Sequence, residues 1–120
     1  IEYTFSDDDD VFDVEARSGS IRVGYAWGIR DGDRLHLTDI HVEEDPPGLR
    51  GKGTGRALLT RFLKEADAAS VREVWGCVTG DDLAHFPKLL DWYAKYDFVA
   101  GEPDAECLNG AVKKVVRRLA

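Results

Sequence analysis

A chain of 120 residues holds enough material for one hydrophobic core and too little for two. Its 43% hydrophobic and 32% charged residues are the balance of an ordinary soluble domain. No apolar run approaches the roughly 20 residues that span a bilayer, and no secretory signal is visible, so a cytoplasmic, membrane-free protein is expected. The net charge of −7 is uneven: residues 1–50 carry 13 acidic against 5 basic side chains, and residues 51–120 carry 10 against 11. The acidic half repels nucleic acid at long range, which argues against a nucleic-acid partner.

The chain begins at Ile1 without a methionine, which suggests trimming or a fragment. Asp7-Asp8-Asp9-Asp10 reads as a solvated turn before the first strand. Residues 11–17 and 20–30 alternate apolar and polar with period two, as half-buried strands do, and meet at Ser18-Gly19. Asp31-Gly32 is a hairpin signal leading into a third strand, Arg34 to Val42. This strand changes phase: Leu35 and Leu37 share one parity, Ile40 and Val42 the other. A one-residue slip is what a β-bulge produces, here near Thr38-Asp39. The slip puts Asp39 and His41 together on the face opposite Ile40 and Val42.

A loop stiffened by Pro46 and Pro47 follows. Residues 54–69 then present Leu58, Leu59, Phe62, Leu63 and Ala66 at helical spacing. Val71 to Thr79 reads as a strand, parallel to the previous one because a helix connects them. After a loop at Gly80-Asp81-Asp82 and a short turn to His85, a main helix runs from about Phe86 or Pro87 to Tyr96, since proline fits a first turn. Phe98 to Gly101 and Gly110 to Leu119 complete the sheet, with a turn at Asn109-Gly110; the valines of the last segment favour strand over helix. Cys77 and Cys107 are far apart and form no Cys-x-x-Cys. They read as separate reduced thiols, neither a disulfide nor a zinc site.

The densest chemical signal is Arg50-Gly51-Lys52-Gly53-Thr54-Gly55-Arg56, where a strand gives way to a helix. Closely spaced glycines let backbone N–H groups converge, and the helix adds its unpaired first-turn donors and the positive end of its dipole. Arg50, Lys52 and Arg56 add mobile positive charge. A polyphosphate suits such a site. The spacing is neither that of a P-loop nor that of the dinucleotide fingerprint.

Arg50-x-x-Gly53-x-Gly55 resembles the Arg/Gln-x-x-Gly-x-Gly/Ala motif of the GNAT superfamily of acyl-CoA-dependent N-acyltransferases. Trp92-Tyr93-Ala94-Lys95-Tyr96-Asp97-Phe98 resembles that family's Phe/Leu-Tyr-x-x-x-Gly-Phe segment, in the same order and at a similar spacing. The resemblance covers about residues 11–119. It implies an α+β, three-layer-like fold: a mixed, mostly antiparallel sheet with a splayed parallel strand pair and two main helices, in one domain over 1–120. It also implies a minimal version of the fold, since the helical pair that usually follows the first strand is missing; truncation would leave the same gap.

The resemblance further implies acetyl-CoA as cosubstrate, no metal, and transfer of acetyl to a primary amine of a small molecule or protein. Arg50, Gly51, Lys52, Gly53, Thr54, Gly55 and Arg56 would hold the pyrophosphate, and the backbone of Ile40 and Val42 the pantetheine arm. Tyr93 would be the general acid, with Asp39 or His41 as base; His36 and His85 are further candidates. A homodimer is compatible with this reading. Two positions depart from the pattern: Phe86 replaces an asparagine that contacts the coenzyme, and Asp97 replaces a glycine. Tyr93 also fits a buried helix face with Phe86, Leu89 and Leu90, and the two roles are compatible. A non-catalytic acyl-CoA-binding or protein-interaction module on the same fold stays open, as does an aminoacyl-tRNA acetylating toxin, against which the charge counts.

Overall fold

The computed structural model describes residues 1–43 and 53–119. Strands β1 (Glu2–Asp8), β2 (Val11–Ser18), β3 (Ile21–Asp31) and β4 (Arg34–Val42) follow one another through tight turns. Each turn uses left-handed backbone: Asp9 and Asp10 at φ 53 and 67, Gly19 at 62, Gly32 at 63. Two successive positive φ values match the twist of an antiparallel hairpin, and aspartate tolerates them because its short side chain bonds locally. The acidic run is therefore only half a turn. Asp7 and Asp8 belong to β1, opposite Phe12 and Val11. Tyr3 and Phe5 give this edge strand too short an alternation to stand out in sequence, yet Phe5 packs edge-on to Phe12 at 5.3 Å. Because β1 passes straight into β2, no helical pair lies between them.

Helix α1 (Thr54–Ala68) leads to β5 (Glu73–Thr79), then α2 (Gly80–His85), α3 (Leu89–Ala94), β6 (Val99–Gly101) and β7 (Ala111–Arg118). The seven strands form one sheet in the order β1-β2-β3-β4-β5-β7-β6. Among the described strands only β4 and β5 run parallel, as a helical crossover requires; the other pairs are antiparallel. The expected main helix is divided. Thr79 caps α2 by accepting from Asp82 N–H at 3.0 Å, while the Asp82 carboxylate accepts from Thr79 N–H at 2.9 Å. Pro87 then falls between α2 and α3 instead of inside a first turn.

α1 buries Leu58, Leu59, Phe62, Leu63 and Ala66 against Phe12, Val14, Ala26 and Leu35. Each large apolar side chain contributes roughly 1.5–3 kcal/mol by leaving water. The helix comes close because β3 offers glycines to it. A Cβ at Gly28 would stand 2.3 Å from the His36 carbonyl oxygen and 3.0 Å from Phe62; at Gly24 it would meet the His41 carbonyl oxygen at 2.9 Å. The expected bulge is present: Trp27 faces Asp39 but Gly28 faces Leu37, so Thr38 is the extra residue.

The reading of the cysteines as separate thiols is overturned. Cys77 on β5 and Cys107, 30 residues later, form a disulfide with Cα atoms 5.8 Å apart. Sequence spacing hid this because β7 lies between β5 and β6, which brings the β6–β7 connection back beside Cys77. Ion pairs hold the same connection: Lys114 Nζ to Asp104 at 2.7 Å and to Glu106 at 2.8 Å, and Arg34 to both Glu106 oxygens at 2.6 and 2.7 Å. Arg34 first, then Lys114, hold the Glu106 carboxyl down at about 2.

Candidate active site

The ladder between β4 and β5 has three rungs, Arg34–Glu73, Leu35–Val74 and His36–Trp75, and stops there. Past the bulge the two strands diverge, and a cavity of about 870 Å³ opens between them. Ile40 and Val42 line it from β4, Gly76 and Val78 from β5, and Trp92 and Tyr93 from α3. The slip that defines the bulge thus also ends the parallel pairing. Gly76 keeps the narrow end passable, since a Cβ there would lie 3.1 Å from the Leu37 carbonyl oxygen.

The start of α1 forms another part of the wall, through Gly53, Thr54, Gly55 and Arg56. Gly53, at φ 81, is the residue before the helix; no side chain caps the first turn and no acidic residue sits in it. The positive end of the helix is therefore left uncompensated among the described residues. Thr54 is 2% exposed, and its Oγ1 has no hydrogen-bond partner among the described residues. A buried hydroxyl left this way costs about 1–3 kcal/mol unless a bound group satisfies it. Arg56 stays exposed, its guanidinium 3.7 Å from where a Cβ on Gly53 would be. An oxyanion ligand fits these features, and the coenzyme A pyrophosphate is one. Arg50, Gly51 and Lys52 lie outside the described residues.

Tyr93 packs edge-on to Trp92 and Phe98, with centroids 5.3 and 5.2 Å away. Burial pushes its phenol up to about 12, and the Asp82 and Asp39 carboxylates add to the effect. The group keeps its proton throughout the neutral range. Full donation to a thiolate whose own thiol ionises near about 8.5 is uphill, so Tyr93 is better suited to donate a hydrogen bond to sulfur than to surrender the proton. Asp97, where the sequence pattern has glycine, sits at φ 69. Phe86, in place of the asparagine, lines the cavity.

The base candidates separate. Asp39 and His41 lie on one face of β4, and both border the cavity, as do Ile40 and Val42 of the opposite parity. His41 Nε2 lies 3.3 Å from Glu43 Oε1, and Asp39 accepts from the Tyr25 hydroxyl at 3.0 Å. His36 stands away from the opening, stacked on Trp75 at the last rung, and burial holds it below the usual imidazole value. His85 also lines the cavity, from the end of α2, exposed like Asp39 and with its Nδ1 2.9 Å from the Asp81 carbonyl oxygen. Sequence reasoning missed Tyr25, Gly76 and Cys77 as neighbours of this site. Tyr25 shares parity with Trp27 across from Asp39, a signal that becomes readable only once the register is known. Among the described residues no three His, Cys, Asp or Glu side chains gather as a metal site, and no helix is long and apolar enough to cross a membrane.

No protein-family model and no curated protein sequence matches the chain. Solved structures do. A PaiA N-acetyltransferase from Thermoplasma acidophilum in complex with coenzyme A superposes with a TM-score of 0.72 at 16% identity, over 92% of this chain and 62% of that one. A GNAT-family acetyltransferase from Staphylococcus aureus gives 0.73 at 16%, over 92% and 69%. An acetyltransferase from Thermus thermophilus gives 0.68 at 24%, over 93% and 66%. The chain thus spans about two thirds of the length of these proteins. With its bulged β4, its parted parallel strands and its glycine-led α1, it has the α+β fold of the GNAT acetyltransferases.

Proposed function

We propose that the chain is an acetyl-CoA-dependent N-acetyltransferase that moves the acetyl group directly to a primary amine of a small molecule or protein. One observation carries the reading: the cavity between the parted strands is walled by an uncapped helix start at Gly53–Arg56 and by the Tyr93 side chain. Bound there, acetyl-CoA supplies the acyl group as a thioester. The α1 N–H groups and Thr54 Oγ1 hold the phosphates, and Ile40 and Val42 border the pantetheine arm. Holding both reactants in line supplies much of the acceleration. Tyr93 stabilises charge developing on sulfur. Asp39 and Glu43 favour an acceptor that arrives as a cation.

The test is incubation with acetyl-CoA and a panel of primary amines and lysine-bearing proteins, following free thiol. Amine-dependent release supports transfer. Coenzyme binding without release from any acceptor makes the chain a non-catalytic acyl-CoA-binding module instead. We propose the cytoplasm as the compartment, against which the Cys77–Cys107 disulfide counts, since such bonds persist mainly in oxidising surroundings; a thiol count on protein prepared without reductant reports whether the bond is formed.

A further inference from the structure

A side-chain hydrogen bond joins Tyr25 to Asp39 across the face of β3 and β4 on which His41 also lies, phenol to Oδ2 at 3.0 Å. We propose that Tyr25 is a positioning residue that fixes Asp39 as the group receiving the acceptor's proton, an inference that rests on the transfer reading above. The register makes the contact diagonal. Tyr25 is opposite His41, and Trp27 is opposite Asp39, so the phenol reaches one pair along the ladder. Diagonal neighbours about 7–8 Å apart are within reach of a side chain this long.

The bulge creates the pairing. Without Thr38 as an extra residue, Asp39 would turn to the α1 face and Tyr25 would have nothing to meet. Tyr25 is itself held in place: the Arg22 guanidinium lies 4.9 Å over its ring, and the His41 ring is 5.5 Å away. Its bond takes one Asp39 oxygen and leaves Oδ1 without a partner among the described residues, in a residue that lines the cavity. Tyr93, whose phenol feels the Asp39 charge, lines that cavity from α3. His41 is otherwise engaged, with Nε2 turned toward Glu43.

Atoms and charge balance in the transfer. Asp39 takes one proton from the acceptor ammonium and later returns it to solvent. The freed nitrogen pair forms the C–N bond as the C–S bond breaks, and the second nitrogen proton leaves with the thiol. Several charged or titratable groups surround the pair: Asp13 and Glu15 from β2, Arg22 from β3, His41 from β4 with Glu43 just beyond it, Asp82 from α2 and Tyr93 from α3. Burial first, then the bond to Asp39 and its charge, raise the Tyr25 phenol; Glu43 adds to this and Arg22 opposes it.

Tyr25→Phe keeps the ring and removes the donor. Without that donor Asp39 loses its fixed aim at the acceptor, so kcat falls while KM for the amine holds. The fall in kcat is about tenfold, as for one lost bond to a charged group, while KM for acetyl-CoA is unchanged. Independently of turnover, NMR titration of labelled tyrosine finds Tyr25 ionising at lower pH in Asp39→Asn. An active wild type whose kcat is unchanged by Tyr25→Phe overturns the positioning role alone. A wild type inert toward every amine overturns the transfer reading and this role with it. A Tyr25 titration indifferent to Asp39→Asn overturns the contact itself.

Discussion

The imidazole of His36 lies flat on the indole of Trp75, with centroids 4.0 Å apart and planes 3° from parallel, on the last rung that joins β4 to β5. Lys114 Nζ sits 4.8 Å from the centre of the same indole. This places the histidine in a structural stack and not in the reaction space.

A pH dependence of stability follows. Burial holds His36 below its ordinary value, Lys114 acts the same way and Glu106 acts against it. Above about pH 6.5 the imidazole is neutral in both folded and unfolded chains and adds no slope. As pH falls through that value, the unfolded chain takes up a proton that the fold resists, so stability declines. Urea unfolding of wild type and His36→Gln between about pH 7.5 and 5 should show a decline in the wild type that the variant lacks, with amine acetylation retained.

Gly55→Asp separates phosphate binding from folding. The position is in the first turn of α1, where aspartate is worth about 0.3–1 kcal/mol through the helix dipole. A Cβ there makes only an ordinary contact, 3.8 Å from Val42 Cγ2. The melting temperature should hold or rise while calorimetric affinity for acetyl-CoA falls by about 100-fold or more, as like charge meets the phosphates. Undiminished affinity would remove the helix start from the coenzyme site.

Tyr93→Phe should preserve the edge-on packing with Phe98 and lower kcat by about 100-fold, with acetyl-CoA affinity unchanged. Because the phenol is held up near about 12, its donor form persists on the alkaline side. The wild-type kcat profile should therefore show no fall from this group below about pH 10, the ordinary tyrosine value. An unaltered kcat in the variant would make Tyr93 a packing residue only.

The disulfide closes a 30-residue separation, which in the chain-entropy model corresponds to roughly 3–4 kcal/mol. Ion pairs through the buried Lys114 and through Arg34 remain after reduction, so the loss is that of the cross-link alone. Cys107→Ser should lower unfolding free energy by about 3 kcal/mol, and added reductant should bring the wild type to the same value. A wild type insensitive to reductant would mean that the thiols are not joined.

Local patterns carried much of this architecture. The parity change between Leu37 and Ile40 announced the bulge, and the stripe from Leu58 to Ala66 announced α1. Gly53 and Gly55 pointed to the helix start, and Tyr93 to the opposite wall. What stayed hidden depended on long-range register. Cys107 meets Cys77 only because β7 inserts beside β5, and Tyr25 meets Asp39 only diagonally. Gly24 and Gly28 acquire their meaning only once α1 is laid over β3. The division of the α2–α3 region turned on a competition that periodicity does not report: the reciprocal cap at Thr79 and Asp82 starts one short helix, and Pro87 stands before the next.

The three-rung seam has a mechanical meaning. It fastens two stiffer plates, β1–β4 with α1 laid across them and β5–β7–β6 with α2 and α3 alongside. A slender guest lodged past His36–Trp75 would act as mortar in an unfinished joint, touching both plates at once. Occupancy should then slow amide exchange well beyond the atoms it contacts, in β4 and β5 together.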